Sequence, residues 1–152
     1  MVTVSPFLST LSTEIPWIEQ LRFAKTVPKR IHFLGSSSPI FALVLARFSK
    51  LMKKTYTYDT SSSTAGVRWA KYMKPETFKQ ISFSSKERPI DKLPCDCPIC
   101  TKYSVTDLRY NLPLVMLHNL YVQVSFCEKV NSLNDDDFVT MLDNLLKNES
   151  LR

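Results

Sequence analysis

Three cysteines stand within six residues at positions 95 to 100, in the order Cys-Asp-Cys-Pro-Ile-Cys, and a histidine follows at position 118. Three thiols and one imidazole form the donor set of a closed tetrahedral zinc site. Prolines at positions 94 and 98 stiffen the turn, so that it can direct its sulfur atoms at one point. The sequence therefore predicts a structural zinc ion bound by Cys95, Cys97, Cys100 and His118.

Two alternatives compete with this interpretation. A disulfide is disfavoured because adjacent thiols in a C-x-C pair rarely reach disulfide geometry, and residues 1–6 show no secretory signal. Cys127 is a rival for the fourth ligand, but nine residues separate it from His118 on one predicted helix. At about 100° per residue the two side chains lie on opposite faces, so Cys127 is interpreted as a small buried apolar residue. The second ring nitrogen of His118 then needs a carbonyl or carboxylate partner.

Composition and charge bound the class of protein. A chain of 152 residues with 44% hydrophobic content is long enough for one compact domain with a core. No apolar run has the length of a membrane span, so no membrane partner is expected. Free thiols arranged for a metal are typical of a reducing compartment, which predicts a cytoplasmic location.

Charge is distributed unevenly along the chain. Residues 22–88 contain 14 Lys and Arg against three acids, while the remaining residues carry a net negative charge. A basic body of this kind favours a nucleic-acid partner whose phosphates supply most of the affinity, although a merely solvated surface is the alternative. The candidate contacts are Lys53, Lys54, Arg68 and Lys102.

The elements that must position these residues alternate in the first half of the chain. Strands are predicted at 2–4, 31–34 and 54–58, and helices at 14–26, 40–50 and 65–71. The order strand, helix, strand, helix, strand, helix indicates a parallel sheet with crossover helices. Three such units cannot close a barrel, which usually takes about 250 residues.

The second half has a different composition. After Pro75 short helical turns, a polar linker at 82–91 and the cysteine turn are expected. Ser104 and Asp107 form a capping-box pattern, a helix is predicted at 114–130, and Asn134 caps a last amphipathic helix. The chain is thus divided into residues 1–75 and a mostly helical zinc-binding part at 76–152.

Asp59 is the candidate catalytic residue. No other acid occurs between residues 20 and 75, and Asp59 follows the third strand, where α/β folds place catalytic groups. A carboxylate there could attack a sugar carbon and form a glycosyl-enzyme intermediate, while Lys53, Lys54 and Arg68 keep it ionised and hold a phosphate. The alternative is a turn, because hydroxyl residues follow Asp59 directly.

Three blocks of sequence resemble the tRNA-guanine transglycosylases, most closely their archaeal branch. Residues 27–35 resemble the next-to-last barrel strand of that family, and residues 58–62 with 71–76 resemble the last strand. Residues 93–103 with 117–122 are similar to the zinc subdomain and form the most specific part of the match. The resemblance covers roughly residues 27 to 130, which correspond to the C-terminal part of such an enzyme.

The resemblance implies the last two to three βα units of a (β/α)8 TIM barrel followed by a zinc subdomain. It implies exchange of guanine for a 7-deazaguanine in tRNA or DNA, with Asp59 attacking the sugar C1′. The family's second aspartate, a general acid/base, belongs to earlier strands that this chain does not supply. A companion chain with those strands, or a homo-oligomer, is therefore expected. The competing hypothesis is a non-catalytic zinc module that binds nucleic acid or a partner protein.

Overall fold

A parallel sheet forms the first half of the molecule. The computed structural model describes residues 2–4, 22, 25–26, 30–34, 38–59, 61, 70–75, 77–83 and 93–150. Strands β1 (Val2–Val4), β2 (Arg30–Phe33) and β3 (Thr55–Tyr58) lie side by side in that order, and both pairings are parallel. The predicted parallel sheet is confirmed. Of the predicted first helix, the structure describes residues 22, 25 and 26, which are helical.

Helix α1 (Pro39–Met52) connects β2 to β3 and covers one face of the sheet. The Ser38 hydroxyl accepts a hydrogen bond from the Phe41 N–H, and Pro39 occupies the first turn, as the cap-and-proline pattern predicts. The helix ends at Lys53, whose φ of 51° is left-handed and turns the chain into β3. The N-terminal half of α1 is buried on more than one side, because Phe41 and Leu45 pack with the sheet whereas Ile40, Ala42 and Leu43 belong to a separate core cluster.

The two faces of the sheet differ in polarity. Ile31 and Phe33 are buried against α1, where the Phe33 and Phe41 rings meet edge to face at 5.4 Å. On the opposite face Thr55 and Thr57 are exposed, and His32 Nδ1 lies 2.8 Å from the Thr57 hydroxyl. Only one face of the sheet is therefore covered by apolar packing among the described residues.

An antiparallel hairpin follows, and it corrects the sequence interpretation. Lys71 begins strand β4 (Lys71–Met73), so the helix predicted over 65–71 is wrong there, and residues 65–69 lie outside the described residues. The helical turns expected after Pro75 are wrong as well, because the chain forms strand β5 (Gln80–Ser82). Tyr72 and Met73 are almost completely buried, and this tertiary packing outweighs the weak local propensity of a three-residue strand.

Four helices complete the chain. They are α2 (Pro98–Lys102), α3 (Val105–Tyr110), α4 (Leu112–Ser132) and α5 (Asp135–Ser150). The Ser104–Asp107 capping box is present in both directions, and the Asn134 side chain accepts a bond of 2.8 Å from the Asp137 N–H. Both predicted caps are confirmed, and α4 extends two residues beyond its predicted span at each end. No helix in the described part of the chain has the length and apolar character needed to cross a membrane.

Helix α4 is the central element of the core. Its residues Val122, Phe126 and Val130 pack with α1 and α5 in one cluster that also contains Met73. Its first turns contribute Val115 to a second cluster, which holds Tyr72, Phe83, Leu93 and Leu108. Through α4 the sheet, the hairpin and the cysteine turn are packed against one another.

Candidate metal centre

The four predicted metal ligands converge on one point. The sulfur atoms of Cys95, Cys97 and Cys100 and one ring nitrogen of His118 lie within 4.8 Å of one another. Nδ1 of His118 is 3.3 Å from the Cys97 sulfur and 3.3 Å from the Cys100 sulfur. In a tetrahedral zinc site neighbouring donors stand about 3.6 to 3.8 Å apart, so these four side chains are close enough to bind a metal ion. Three sulfurs and one imidazole form a donor set that fits zinc.

Local structure in the cysteine turn holds the sulfurs in place. Cys97 caps α2, and Pro98 follows as its first residue. The Cys97 N–H points at the Cys95 sulfur and the Cys100 N–H at the Cys97 sulfur, each at 3.4 Å. Hydrogen bonds from backbone N–H groups favour the anionic form of a sulfur atom, which is the form that binds a metal.

His118 is completely buried, and its environment decides its tautomer. Nε2 lies 2.8 Å from the carbonyl oxygen of Met73. A carbonyl only accepts, so Nε2 carries the proton and the lone pair of Nδ1 faces the sulfur atoms. Burial lowers the pKa of His118, while the bond to Met73 acts in the opposite direction. The Met73 backbone is thus the partner that a metal-binding histidine requires.

Tyr72 forms one wall of the site. Its ring stacks on the His118 ring at 4.0 Å with 12° between the planes, and its hydroxyl lies 3.5 Å from the Cys100 sulfur. Burial raises the pKa of Tyr72, so its hydroxyl stays protonated and can donate to sulfur. Burial also raises the pKa values of the Cys95 and Cys100 thiols, which therefore keep their protons until a cation displaces them.

Asn119 is a buried polar residue that the sequence analysis missed. Its Oδ1 accepts from the Met73 N–H at 2.9 Å, and its Nδ2 donates to the Lys71 carbonyl at 3.1 Å. The side chain therefore satisfies the edge of β4 directly beside the metal ligand. A signal exists in the sequence, since His118 and Asn119 are adjacent polar residues in a helix with no charged residue from 112 to 127.

Cys127 is not part of the metal cluster. Its sulfur lies 3.0 Å from the Tyr58 hydroxyl, on the side of α4 that faces β3. The prediction that the helix places Cys127 away from the His118 site is confirmed, and the cysteine is half-buried. Burial raises the pKa of Tyr58, and the contact with Cys127 adds to that effect.

Asp59 and two of the predicted phosphate contacts lie at opposite ends of strand β3. Asp59 is exposed at the carboxyl end of β3, and its N–H extends the pairing to β2 by donating to the Phe33 carbonyl at 3.1 Å. Lys53 and Lys54 precede β3, so about five residues of extended chain, or roughly 16 Å, separate Lys54 from Asp59. Nζ of Lys54 donates to the Lys25 carbonyl at 3.0 Å.

Of the other two predicted basic contacts, one lies among the described residues. Lys102 is exposed at the end of α2, with its Nζ 5.4 Å from the Tyr103 ring centroid. Arg68 lies outside the described residues. Lys53 and Lys54 therefore lie at the other end of β3 from the candidate nucleophile, and Lys102 lies on a separate helix.

The fold and the site define an α/β chain with a parallel sheet and a helical part in which four side chains are close enough to bind a metal ion. In sequence it is similar to tRNA-guanine(15) transglycosylases. The Thermococcus onnurineus protein is 31% identical over 99 residues, which are 60% of this chain and 15% of that protein. The Pyrococcus abyssi protein is 27% identical over 135 residues, or 76% of this chain and 21% of that protein. The Sulfolobus acidocaldarius protein is 32% identical over 100 residues, or 62% and 18%.

The predicted resemblance to the C-terminal part of tRNA-guanine transglycosylases is confirmed by these relatives. The chain spans only about a fifth or less of their length. No family model matches the chain. No solved structure matches it either.

Proposed function

We propose that this chain forms the C-terminal portion of a guanine transglycosylase and acts on nucleic acid, tRNA or DNA, together with further barrel strands. The single observation that carries the proposal is the place of Asp59, at the carboxyl end of a parallel strand in a chain that resembles this family. Catalytic groups of (β/α)8 barrels lie at that end of the strands. The exposed carboxylate is accessible to a large substrate.

The chemistry follows from the resemblance. A carboxylate oxygen of Asp59 attacks the sugar C1′, the bond from C1′ to the guanine nitrogen breaks, and guanine leaves with that electron pair. An incoming 7-deazaguanine then displaces the carboxylate and regenerates Asp59. A second acid/base must protonate the leaving base and then remove the proton from the attacking nitrogen of the incoming base, and we assign this group to the companion strands.

The sheet supports a barrel that other strands complete. Among the described strands, β1 and β3 each pair with β2 alone, so two edges are available for pairing. The face with Thr55 and Thr57 lies opposite α1, and in a barrel this face would point inward. A companion chain or a second copy of this chain would cover both the edges and this face.

An exposed apolar surface on α4 also supports a protein partner. We call it the α4 outer face, and its side chains are 38% to 48% exposed. Exposed apolar patches of more than a few hundred Å² usually mark interaction sites. The α4 outer face consists of Leu112, Met116, Leu117, Leu120, Tyr121 and Val124.

The proposed role of the metal is structural, and the proposed metal is zinc. Four protein donors fill a tetrahedral coordination sphere and leave no position for a water molecule or a substrate. When bound, the ion supplies a fixed charge and cross-links α2 to α4. A reducing compartment such as the cytoplasm keeps the three thiols available to it.

The other roles remain as predicted from the sequence. We assign the barrel strands to residues 1–75 and the metal-binding helical part to residues 76–152, although β4 packs with the latter in one cluster. We also assign phosphate contacts to Lys53, Lys54, Arg68 and Lys102. These contacts serve parts of a long nucleic acid away from the exchanged base, because the lysines stand apart from Asp59.

The test is a base-exchange assay on the chain co-purified with its partner, using labelled guanine and either tRNA or DNA. Asp59→Ala should abolish exchange and the covalent adduct, while metal content and the melting temperature stay unchanged because Asp59 is exposed. Asp143→Ala, at another exposed aspartate, is the matched control and should retain full exchange. Exchange that survives in Asp59→Ala would refute the assignment of the nucleophile.

A non-catalytic zinc module is the second candidate, and the α4 outer face favours it. In that case the chain alone binds a protein or nucleic acid, and Asp59→Ala leaves binding unchanged. Binding to nucleic acid would weaken steeply with salt, whereas binding through the α4 outer face would not. Leu120→Lys would then abolish capture of the protein partner without changing nucleic-acid affinity.

A further inference from the structure

Two side-chain contacts anchor helix α4 to the strands on either side of residues 60–69. On one side Tyr58, the last residue of β3 and the neighbour of Asp59, contacts Cys127 with its hydroxyl at 3.0 Å. On the other side Lys71 and Met73 of β4 are bonded by Asn119. The strand before residues 60–69 and the strand after them are therefore each bonded to α4, and we call these two contacts the first and second anchors.

The second anchor replaces a missing strand. In β4 the carbonyl of Ala70 and the N–H of Lys74 bond to Phe83 and Lys79 on the hairpin side. The backbone groups of the alternate residues Lys71 and Met73 point the other way, as expected in an antiparallel pair. There Asn119 accepts from the Met73 N–H at 2.9 Å and donates to the Lys71 carbonyl at 3.1 Å. His118 donates to the Met73 carbonyl at 2.8 Å. Side chains of α4 thus form the hydrogen bonds that a neighbouring strand would otherwise form with β4.

The helix sets the distance between the two anchors. Asn119 and Cys127 are eight residues apart on one uninterrupted helix, which corresponds to a rise of about 12 Å. Backbone hydrogen bonds fix the rise of a continuous helix, so this spacing is imposed on the end of β3 and the start of β4. Both anchors are polar contacts with defined geometry, which fixes the register of each strand more sharply than apolar packing.

The metal site is coupled to the second anchor. His118 directly precedes Asn119, and both residues contact the Met73 backbone. A metal bound at Nδ1 of His118 would hold the imidazole ring, and with it the depth and rotation of α4 against β4. Tyr72 reinforces this coupling, because its ring stacks on His118 and its hydroxyl reaches the Cys100 sulfur.

We propose that α4 is a brace whose position is set by the metal, and that Asn119 and Cys127 are positioning residues for the chain on both sides of residues 60–69. The brace fixes where β3 ends, and therefore where Asp59 stands, relative to β4. Its consequence for catalysis rests on the proposed function, whereas the brace itself does not.

The test is residue-resolved amide hydrogen exchange on the full chain, with zinc bound and after chelation. Asn119→Leu removes both bonds to β4 and should speed exchange of the Met73 amide about tenfold, the equivalent of one lost buried hydrogen bond. Metal content should stay at one ion per chain, and amides of α5 should not change. Asn131→Leu, at an exposed asparagine of the same helix, is the matched control and should leave the Met73 amide unchanged.

Two milder variants guard against loss of the fold. Asn119→Asp keeps the acceptor for the Met73 N–H but loses the donor to Lys71, so it should speed Met73 exchange less than Asn119→Leu does. Cys127→Ala removes the first anchor and should speed exchange of the Asp59 amide, which bonds to Phe33, without affecting Met73. Zinc removal should speed Met73 exchange in the wild type. Unchanged Met73 exchange after zinc removal or in Asn119→Leu would overturn the brace.

Kinetics separate the brace from the proposed function. In the reconstituted enzyme Asn119→Leu should lower kcat about tenfold with little change in KM, since substrate contacts remain in place. A changed Met73 exchange with unchanged kcat would overturn the catalytic consequence while the brace stands. If no preparation shows base exchange, the proposed function fails and the hydrogen-exchange result still decides the brace.

Discussion

The metal half of the molecule, from β4 to α5, and the sheet half, from β1 to β3 with α1, satisfy their polar groups in different ways. Around the cysteine turn, the buried His118 and Asn119 side chains bond to the backbone of β4, and the four donors lie close enough together to bind one metal ion. In the sheet half, β1 and β3 each have one partner strand among the described residues, and one sheet face carries exposed threonines. Under the proposed function, one metal ion would complete the metal half, whereas further strands would complete the sheet half.

The largest expected effect comes from removing a metal ligand. Cys97→Ser should lose the metal and unfold the region from Leu93 to α4, because binding of a structural zinc ion contributes about 10 kcal/mol or more to folding. Near-ultraviolet circular dichroism and metal analysis would show this loss. A variant that binds no metal but melts like the wild type would show that the metal half does not depend on an ion for its stability.

Cys127→Ser is the matched control for that variant. Cys127 is a cysteine within α4 that lies outside the metal cluster, so this variant should keep a full complement of metal. A loss of metal in Cys127→Ser would contradict the ligand set.

A smaller effect concerns pH and acts on the metal half alone. Because burial raises the pKa values of the Cys95 and Cys100 thiols, these thiols are protonated at neutral pH and must release protons when zinc binds. Burial lowers the pKa of His118, so this side chain is already neutral and releases none. We expect at least two protons per zinc ion near pH 7.5, and an affinity that falls steeply as the pH is lowered towards 6.

Isothermal titration calorimetry in buffers of different ionisation enthalpy measures that number. A release of one proton or fewer per zinc ion would show that the thiols are ionised before the metal arrives. The Tyr72→Phe variant sharpens the measurement, since it removes the hydroxyl that contacts the Cys100 sulfur and keeps the ring on His118.

The smallest effect is expected at the ion pair that joins the halves. Arg47 of α1 donates to Asp135 of α5 at 2.7 Å, but the two side chains are 28% and 72% exposed. Arg47→Ala should therefore cost less than about 1 kcal/mol, and the effect should shrink further in 1 M salt. Thermal melting at low and high salt checks this. A loss of several kcal/mol would mean that the halves depend on this pair rather than on their shared apolar core.

Features of the fold that depend on neighbouring residues were predictable. Ser38 with Pro39, Ser104 with Asp107, and Asn134 were all expected as helix caps, because a cap needs only a side chain and an N–H two or three residues away. The alternation of strands and helices was enough to predict the parallel sheet. The hairpin of β4 and β5 escaped prediction, since each strand has three residues and is held by distant packing.

The candidate site also combines features set by neighbouring residues with features set by distant packing. By itself the sequence determined the donor chemistry, because three thiols in one turn can face only a small volume and a helix places His118 and Cys127 on different faces. Only the tertiary structure decided that Met73 accepts from His118 and that Asn119 binds β4. The physical reason is distance along the chain: contacts between residues more than 40 positions apart depend on how whole elements pack, and no local pattern encodes them.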